Sequence, residues 1–340
     1  MALYCGVDFH ARQQVIVWSN TDDGEIHHLK LWHDDLAKVK AFYAGLPRPA
    51  IVGLEASGYS AWFEELLFEL HHQVWIGNAA EIRKRARSRQ KTDRRDAETI
   101  LDLLLKDEFP RIYRPSAASR AVLQKLRYRH RLVQLRTKAR NHLHALALSA
   151  GLSMKAKLLS QAGREKLQSL PLTETQQQQR DEWLALVDHL NPVIKRVDKE
   201  LPALIEPDPR VQRVLTHPGI GPLTALALVH TLGPVERFAN GRKVTAYVGL
   251  DPLEDSSGDY QRIGSISKQG SKLLRFLLVE AAQTAAQRDP DLKRLYYRVL
   301  KRRDHARASV AVARRLLVRA YILLRDEIDY AEFRRRSCRS

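Results

Sequence analysis

The order of strands and helices over the first 80 residues restricts the fold of this chain more than any other feature. Apolar residues at alternate positions of 3–7 predict a strand, because successive side chains of a strand point to opposite faces. The β-branched and aromatic residues of 14–18 predict a second strand, and 25–31 predicts a third after the turn at 21–24. The chain is therefore expected to open with an antiparallel meander.

Helices and strands alternate after this meander. Apolar residues recur at helical spacing in 36–43, and the Pro-Arg-Pro that follows is expected to end the helix before a buried strand at 50–55. A helix at 59–72, a short strand at 73–77 and a further helix complete the order β-β-β-α-β-α-β-α. This is the wiring of a ribonuclease H-like (RuvC-like) α/β domain, which we predict for residues 1–115.

A helical, coiled-coil-like region is predicted for residues 116–205. Two heptad-like runs place apolar side chains at steps of three and four: Leu132, Leu135, Ala139, His142 and Leu146, and then Val187, Leu190, Ile194, Val197 and Leu201. The glutamine-rich segment 173–179 is expected at the tip of the hairpin between them, and Asn191-Pro192 fits a restart of the second helix. The region is either a spacer or a dimerising antenna, and we predict that the protein is oligomeric through these runs.

Residues 206–340 are predicted to be mostly α-helical. Gly219 and Gly221 flank an isoleucine just before the apolar helix expected at 223–232. This pattern resembles a helix-hairpin-helix element, in which backbone N–H groups at a helix N-terminus bind a phosphate. The alternative is a tight turn with no ligand.

The positive charge of the chain predicts a polyanionic partner. The net charge is +18, and residues 81–140 alone contain 19 basic and 7 acidic side chains. Few aromatic residues interrupt the basic run, so we expect it to contact the phosphate backbone of a nucleic acid and not to stack on bases. The alternative is that the run forms a solvated helix face. The members of the run are Arg83, Lys84, Arg85, Arg87, Arg89, Lys91, Arg94 and Arg95.

The cysteine content and the opening residues favour a cytoplasmic protein. Cys5 and Cys338 are the only cysteines, too few for a disulfide framework. The opening residues lack the basic and apolar regions of a secretion signal, and no apolar run approaches the ~18 residues of a membrane span.

Four carboxylates are expected to converge at the edge of the predicted sheet. Asp8 lies in the first strand, Glu55 ends the fourth, and Asp93 and Asp96 share one face of a helix at i, i+3. So many anions in one cleft require a hard cation, and oxygen ligands suit Mg²⁺ or Mn²⁺. Each acid taken alone could instead be a helix cap or a surface partner of a nearby basic residue.

Six short motifs are distributed along nearly the whole chain: Gly6-Val7-Asp8-Phe9-His10, Gly53-Leu54-Glu55-Ala56, Lys91-Thr92-Asp93-Arg94-Arg95-Asp96-Ala97, Pro218-Gly219-Ile220-Gly221-Pro222, Ala246-Tyr247-Val248-Gly249-Leu250 and Ile266-Ser267-Lys268-Gln269-Gly270. Together they resemble the DEDD transposases of the insertion-sequence one-ten family. The resemblance implies a DNA recombinase that binds divalent metal through the four acids. A noncoding bridge RNA would select its donor and target DNA. It further implies a homo-oligomer, a dimer or an assembled tetramer, in which both domains contribute to one active site from different subunits.

The resemblance also implies that Ser267 attacks a DNA phosphate to form a covalent phosphoserine, with residues 206–340 as the transposase domain. Lys268 and Lys272 could stabilise the phosphate charge. Chemistry alone does not separate Ser267 from Ser265 and Ser271, and any of these serines could simply cap the following helix. Two other functions stay open: a RuvC-like, structure-specific nuclease that uses metal-activated water, and a non-catalytic nucleic-acid-binding assembly factor.

Overall fold

A computed structural model of the protein describes residues 2–21, 24–85, 92–153, 157–254 and 263–337. The chain divides into two compact units, Met1–Arg114 and Pro115–Ser340. The predicted helical region and the predicted transposase domain therefore lie in one compact unit. Members of the basic run at 86–91, and Cys338, fall outside the described residues.

The first unit is a mixed sheet with helices. Its elements are β1 (Leu3–Phe9), β2 (Gln13–Asn20), β3 (Ile26–Trp32), α1 (Leu36–Ala44), β4 (Ile51–Glu55), α2 (Ala61–Glu69), β5 (Gln73–Gly77), α3 (Ala79–Arg85) and α4 (Asp93–Leu105). The predicted order of elements is confirmed. The strands lie in the order β3-β2-β1-β4-β5, with β1, β2 and β3 paired antiparallel and β1, β4 and β5 paired parallel.

Glycine at position 6 lets α4 lie directly on the central strand. A Cβ atom on Gly6 would lie 2.3 Å from the carbonyl oxygen of Ala97 and 2.5 Å from the backbone nitrogen of Leu101. Because side chains alternate along a strand, Asp8 shares the α4 face of β1 with Gly6, whereas Val7 packs into the core on the other face. The first turn of α4 is thereby placed near the C-terminal end of β1.

The second unit is almost entirely helical, as predicted. Its elements are α5 (Ala117–Ser149), α6 (Gln161–Gln168), α7 (Glu174–Lys199), α8 (Leu201–Ile205), α9 (Pro209–Leu215), α10 (Pro222–Leu232), α11 (Gly241–Val248), β6 (Pro252–Glu254), β7 (Ile263–Ile266), α12 (Lys272–Arg288), α13 (Pro290–Leu300), α14 (His305–Arg325) and α15 (Tyr330–Ser337). Its largest apolar core draws mainly on α10, α12 and α14, and α10 is buried along nearly its whole length.

Helices α5 and α7 pack against each other as a hairpin. The predicted apolar run at 187–201 is buried: Val187, Leu190, Ile194 and Val197 lie on α7, and Leu201 is the first residue of α8. The predicted seam of α5 is right only at Ala139, which is buried: Leu135 is 48% exposed, and the buried positions that follow Ala139 are Leu143 and Ala147 instead of His142 and Leu146. The α7 seam is thus buried within a single chain and gives no support to oligomerisation through that run.

Two local predictions for this hairpin are also wrong. The glutamine run begins α7 instead of forming the tip, because Thr173 and Gln176 make a reciprocal capping box there. The helix does not restart at Asn191-Pro192 but continues through Pro192 to Lys199. Packing of the apolar seam on both sides of the proline compensates for the lost backbone hydrogen bond.

A buried ion pair joins α13 to α14. Asp289 is fully buried; its carboxylate accepts the backbone N–H of Leu292 at the start of α13 and the hydroxyl of Tyr330. Arg319 of α14 donates to the same carboxylate at 2.5 Å. Burial disfavours the charged form, but these donors outweigh it, so the pKa of Asp289 lies below its ordinary value.

Replacing Arg319 with methionine is expected to destabilise the protein by about 3–5 kcal/mol, because the change leaves Asp289 buried without its cation. Urea unfolding at neutral pH measures the effect. Arg335→Ala is the control, since the side chain of Arg335 is 72% exposed in its pair with Glu332 and its loss should cost under about 1 kcal/mol. Equal midpoints for the two variants would contradict the prediction.

Candidate active site

A cluster of potential metal ligands lies where β1 meets the start of α4. Nε2 of His10 is 3.0 Å from Oδ2 of Asp8 and 3.7 Å from Oδ1 of Asp93. One ligand atom from each of these residues lies within 4.8 Å of the others. Gln13 donates to the second carboxylate oxygen of Asp93 at 3.0 Å and so helps to orient it.

Local structure explains why these side chains meet. Asp8 is the next-to-last residue of β1, and His10 directly follows the strand, with its imidazole within hydrogen-bond distance of the Asp8 carboxylate. Thr92 caps α4 by accepting the backbone N–H of Arg95, so the helix begins at Asp93. Asp93 and Asp96 thus lie in the first turn, where the positive end of the helix dipole favours carboxylates.

The electrostatics of the cluster favour a bound cation. Burial raises the pKa of Asp8 above its ordinary value, His10 opposes this shift, and the charges of Asp96 and Asp93 raise the pKa further. A divalent cation would relieve the repulsion among these carboxylates by neutralising their charge. The carboxylate oxygens are ligands that suit Mg²⁺ or Mn²⁺. The residues present therefore fit the metal that the sequence predicts.

The four predicted acids are not equivalent in the structure. Asp8 and Asp93 belong to the cluster, and Asp96 is close enough to affect the ionisation of Asp8. Val7 pairs with Leu54 in the parallel register, so Glu55 follows in register beside Asp8. Its carboxylate lies 3.8 Å from Arg83 and is not part of the ligand group found among the described residues.

His10 is the residue that the sequence interpretation missed. Its position in the sequence could have identified it, because it lies two residues after Asp8 and directly follows β1. Its imidazole adds a nitrogen donor to the carboxylate oxygens of the cluster.

Adding Mn²⁺ is expected to raise the melting temperature of the protein. At about 100 times its dissociation constant the ion should stabilise the fold by about 2.7 kcal/mol, and EDTA should reverse the shift. Asp93→Asn should lose most of this stabilisation, because it removes an anionic ligand. Asp102→Asn, which changes an exposed acid on the same helix paired with Lys106, should keep it. An equal shift in both variants would place the cation elsewhere.

The second unit holds Ser267 against a carboxylate. The hydroxyl of Ser267 donates to Oδ1 of Asp251 at 2.5 Å, and its backbone N–H donates to the carbonyl oxygen of Asp251 at 2.9 Å. The adjacent residues Pro252 and Ile266 pair across the β6–β7 ladder. Asp251 and Ser267 are thus fixed to each other by side-chain and main-chain contacts.

Two glycines set the path of the serine loop. Gly249 and Gly270 have positive φ angles of 77° and 71°. A Cβ atom on Gly249 would lie 2.1 Å from the carbonyl oxygen of Gln269, and one on Gly270 would lie 2.2 Å from that of Tyr247. The loop that carries Ser267 therefore packs against the end of α11. The backbone N–H of Lys268 donates to the carbonyl oxygen of Gly249 at 3.1 Å.

The neighbouring serines have different environments. Ser271 caps α12 by accepting the backbone N–H of Leu274 at 3.2 Å, so the helix-capping alternative applies to this residue. Ser265 is exposed on β7. Lys268 is exposed in the loop and Lys272 is the first residue of α12, which leaves both ammonium groups on the surface near this segment.

The structure gives Gly219 a packing role. Its φ angle is 97°, and a Cβ atom there would lie 2.6 Å from the backbone nitrogen of Ala285 on α12. Ile220 is buried in the core, and Gly221 is the N-cap residue of α10. Close helix contact is thus a sufficient reason for glycine at 219, which argues for the tight-turn alternative, and phosphate binding at Gly219 and Gly221 stays a prediction.

The described part of the basic run makes local contacts. Arg83 lies near Glu55, Lys84 pairs with Glu81 at 2.8 Å, and Arg85 donates to the carbonyl oxygen of Glu108. Arg83 and Lys84 are nevertheless 70% exposed, so these weak pairs leave them accessible to a phosphate. The predicted contacts at Arg87, Arg89 and Lys91 lie outside the described residues.

Comparisons with known proteins identify the family. Residues 5–150 match the DEDD transposase model of IS110 elements, and residues 211–297 match the transposase IS116/IS110/IS902 family. A probable family 20 transposase of Pseudomonas aeruginosa is 30% identical over 86% of this chain and 89% of its own length. The transposase for insertion sequence element IS1328 of Yersinia enterocolitica is also 30% identical, over 73% of this chain and 74% of its own length.

A third relative, the transposase for insertion sequence element IS1111A of Coxiella burnetii, is 29% identical over 71% of this chain and 68% of its own length. The chain belongs to the IS110/IS116 family of transposases. Membership implies an enzyme of DNA transposition that cuts and rejoins DNA. Among the described residues, no helix has the length and apolar character needed to cross a bilayer.

Proposed function

We propose that this transposase is a site-specific recombinase that exchanges DNA strands through a covalent phosphoserine at Ser267, with a divalent-metal site at the acid cluster. The observation that carries the proposal is the convergence of Asp8, His10 and Asp93, which occurs inside the region matching the DEDD transposase model. The location of Ser267 beside Asp251 supports the choice of this serine over Ser265 and Ser271.

A ribonuclease H-like fold for the first unit is part of the proposal. Its support is the mixed sheet, in which the three-stranded antiparallel meander and the parallel strands β4 and β5 share β1. Asp8 lies on that shared strand and Glu55 at the end of its parallel neighbour. Substrate phosphates would thus approach the C-terminal ends of these two strands.

Asp8, Glu55, Asp93 and Asp96 are the proposed holders of Mg²⁺ or Mn²⁺. A bound cation would supply positive charge that stabilises the phosphate during substitution. Within the chain, Gln13 keeps the Asp93 carboxylate directed into the cluster, and the cap at Thr92 fixes the helix that presents it. Glu55 would join the ligands by giving up its weak contact with Arg83, a guanidinium that is already accessible to DNA.

Ser267 would supply the nucleophile for rejoining. A covalent phosphoserine keeps the energy of the broken phosphodiester, so a DNA hydroxyl can later displace the serine without an external energy source. Lys268 and Lys272 are the proposed stabilisers of the charge that develops on the phosphate. Hydrolysis by metal-activated water, as in a structure-specific nuclease, would leave ends that cannot rejoin in this way.

The proposed partners are donor DNA, target DNA and a noncoding bridge RNA that selects both, bound by a homo-oligomer. The net charge of +18 supports nucleic-acid partners. The bridge RNA, and a dimer that assembles into a tetramer, rest on the family resemblance of the six motifs. Cytoplasmic, nucleoid-associated location follows as an expectation from that role.

A reconstituted strand exchange tests the function. Purified protein, the RNA transcribed from the DNA flanking its reading frame, and two plasmids carrying element and target should give joined product that depends on divalent cation. Denaturing gels should show protein linked to a DNA strand. Cleaved but unjoined DNA without a linked strand would instead establish the nuclease, and binding without any cleavage would establish the non-catalytic assembly factor.

A further inference from the structure

We propose that the exposed face of α13 binds a single-stranded nucleic acid, with one base stacked on the ring of Tyr297 and the phosphates on the basic side chains around it. The inference rests on the nucleic-acid partners of the proposed function, and it adds a site in the second unit that the sequence interpretation did not include. It depends neither on the metal cluster nor on the chemistry of any serine.

Basic side chains are concentrated on α13 and the first half of α14. Residues 293–315 contain nine lysines and arginines and a single acid, Asp304. Asp304 caps α14 by accepting the backbone N–H of Arg307, and its carboxylate also lies 3.3 Å from the guanidinium of that residue. Little carboxylate charge is therefore left to offset the positive charge of this segment, which favours binding of phosphates.

One face of α13 carries much of this charge along a groove of about 650 Å³. The polar residues that line the groove are Lys293, Arg294, Tyr297, Arg298, Lys301 and Arg302. Arg294 pairs with Asp291, whereas no carboxylate among the described residues pairs with Lys293, Arg298 or Lys301. All three of these side chains are exposed, so they can bind an external anion without breaking an ion pair.

Tyr297 places an aromatic ring among these cations. Its side chain is 52% exposed, and the ring of Tyr296 supports it through a perpendicular contact with 5.5 Å between the centroids. Tyr297 also lines a second cavity, of about 310 Å³, together with Gln283 and Gln287 of α12. A base on the tyrosine ring could form hydrogen bonds with these amides through its edge.

The exposed ring favours a single strand over a duplex. Bases of a single strand are free to stack on aromatic side chains, whereas the bases of a duplex are already stacked on each other and present mainly phosphates to a protein. A basic groove without an aromatic ring would be sufficient for a duplex. The ring of Tyr297 within the groove therefore indicates an unpaired strand.

Arg298 joins this groove to a neighbouring one between α13 and α14. The second groove has a volume of about 710 Å³ and is also lined by Arg314 and Arg315 of α14. Its one acid, Asp291, is paired with Arg319 among others. Guanidinium groups bind phosphate oxygens through paired hydrogen bonds, so the phosphates that follow the stacked base would have a continuous basic path.

Fluorescence anisotropy of labelled oligouridine and oligothymidine tests the inference with the full chain in EDTA, where no divalent cation takes part. Tyr297→Leu removes the ring and should weaken binding by about 10-fold, because the stacking of one base is lost. Tyr297→Phe keeps the ring and should bind within about 2-fold of the wild type. Phe68→Leu is the control, since Phe68 is a 76% exposed ring on α2 that follows Glu65 and precedes Glu69.

Two further measurements locate the base and the phosphates. A strand that contains 5-iodouracil should crosslink to Tyr297 on irradiation, as read by mass spectrometry of the linked peptide. Lys301→Ala should reduce the slope of log affinity against log salt by about 0.7, the loss expected for one phosphate contact of a single strand. Lys106→Ala removes a lysine that is paired with Asp102, and it should leave the slope unchanged.

A preference for oligouridine or for oligothymidine would identify the ligand as RNA or DNA, and either result supports the site. Wild-type affinity in Tyr297→Leu that is folded by its melting temperature would overturn the inference. A wild-type crosslink that maps away from Tyr297 would do the same without any variant. An equal loss of affinity for a paired duplex in Tyr297→Leu would refute the single-stranded ligand.

The outcome for the proposed function is read separately. If the strand binds at Tyr297 but no strand exchange occurs, the proposed recombinase fails and the site on α13 stands. If strand exchange proceeds and Tyr297→Leu binds both oligonucleotides normally, the recombinase stands and α13 is not a nucleic-acid site.

Discussion

Ser267→Ala is expected to abolish formation of the DNA-linked protein and to reduce strand exchange by about 10⁴-fold or more, the order of loss seen when a catalytic nucleophile is removed. The substitution deletes only the hydroxyl, and the backbone N–H that donates to Asp251 is kept. The loop should therefore keep its structure, and DNA binding should change little.

Matched serine variants make this prediction specific. Ser265→Ala changes an exposed hydroxyl on β7 and should retain strand exchange. Ser271→Ala removes the cap of α12, so it should cost about 1 kcal/mol of stability and leave adduct formation intact. Quantitative gels of trapped protein–DNA adducts, with mass spectrometry of the linked peptide, distinguish the three. Recombination by Ser267→Ala would disprove the covalent mechanism.

Asp8→Asn is expected to abolish Mn²⁺ binding and to slow strand exchange by about 10³-fold, since it removes a carboxylate worth several kcal/mol of cation-dependent stabilisation. The same change should raise the stability of the metal-free protein at pH 7. The reason is that burial, with the nearby acids, raises the pKa of Asp8, so its ionised form opposes folding.

The pH dependence of stability tests the sign of the effect of Asp8→Asn on the metal-free protein. The folded-state pKa of Asp8 lies above its unfolded value, so the penalty exists above that pKa and disappears as the pH falls through it. The melting temperatures of metal-free Asp8→Asn and wild type should therefore differ at pH 7 and converge in acid. A metal-free variant that melts below the wild type at every pH would contradict the prediction.

Periodicity in the sequence was sufficient to predict the first unit. The period-two pattern of β1 and the meander after it place Asp8 on the central strand, and a parallel neighbour then brings Glu55 beside it. The ligand set could not be obtained in the same way. Glu55 is in register beside Asp8, yet its carboxylate lies 3.8 Å from Arg83 and outside the ligand group found among the described residues, a position that no local pattern predicts.

In the helical hairpin, packing between α5 and α7 determined which positions of α5 are buried, and the sequence alone did not predict them. On α5 two stripes overlap at Ala139, one continuing to His142 and one to Leu143; Leu143 is buried in the core shared with α7, whereas His142 is exposed and stacks on Trp183 of α7. No local sequence pattern predicted the contact between Asp251 and Ser267 either. Asp251 lies 16 residues before Ser267, and a two-stranded ladder brings the pair together.

The distance between Asp8 and Asp93 in the acid cluster depends on the lack of a side chain at Gly6. Asp8 belongs to β1, His10 directly follows that strand, and Asp93 begins α4; the strand and the helix touch where Gly6 faces the backbone of Ala97. Any larger residue would lift the helix and carry its carboxylate outwards. The spacing of the proposed metal ligands therefore depends on a residue that supplies no ligand itself.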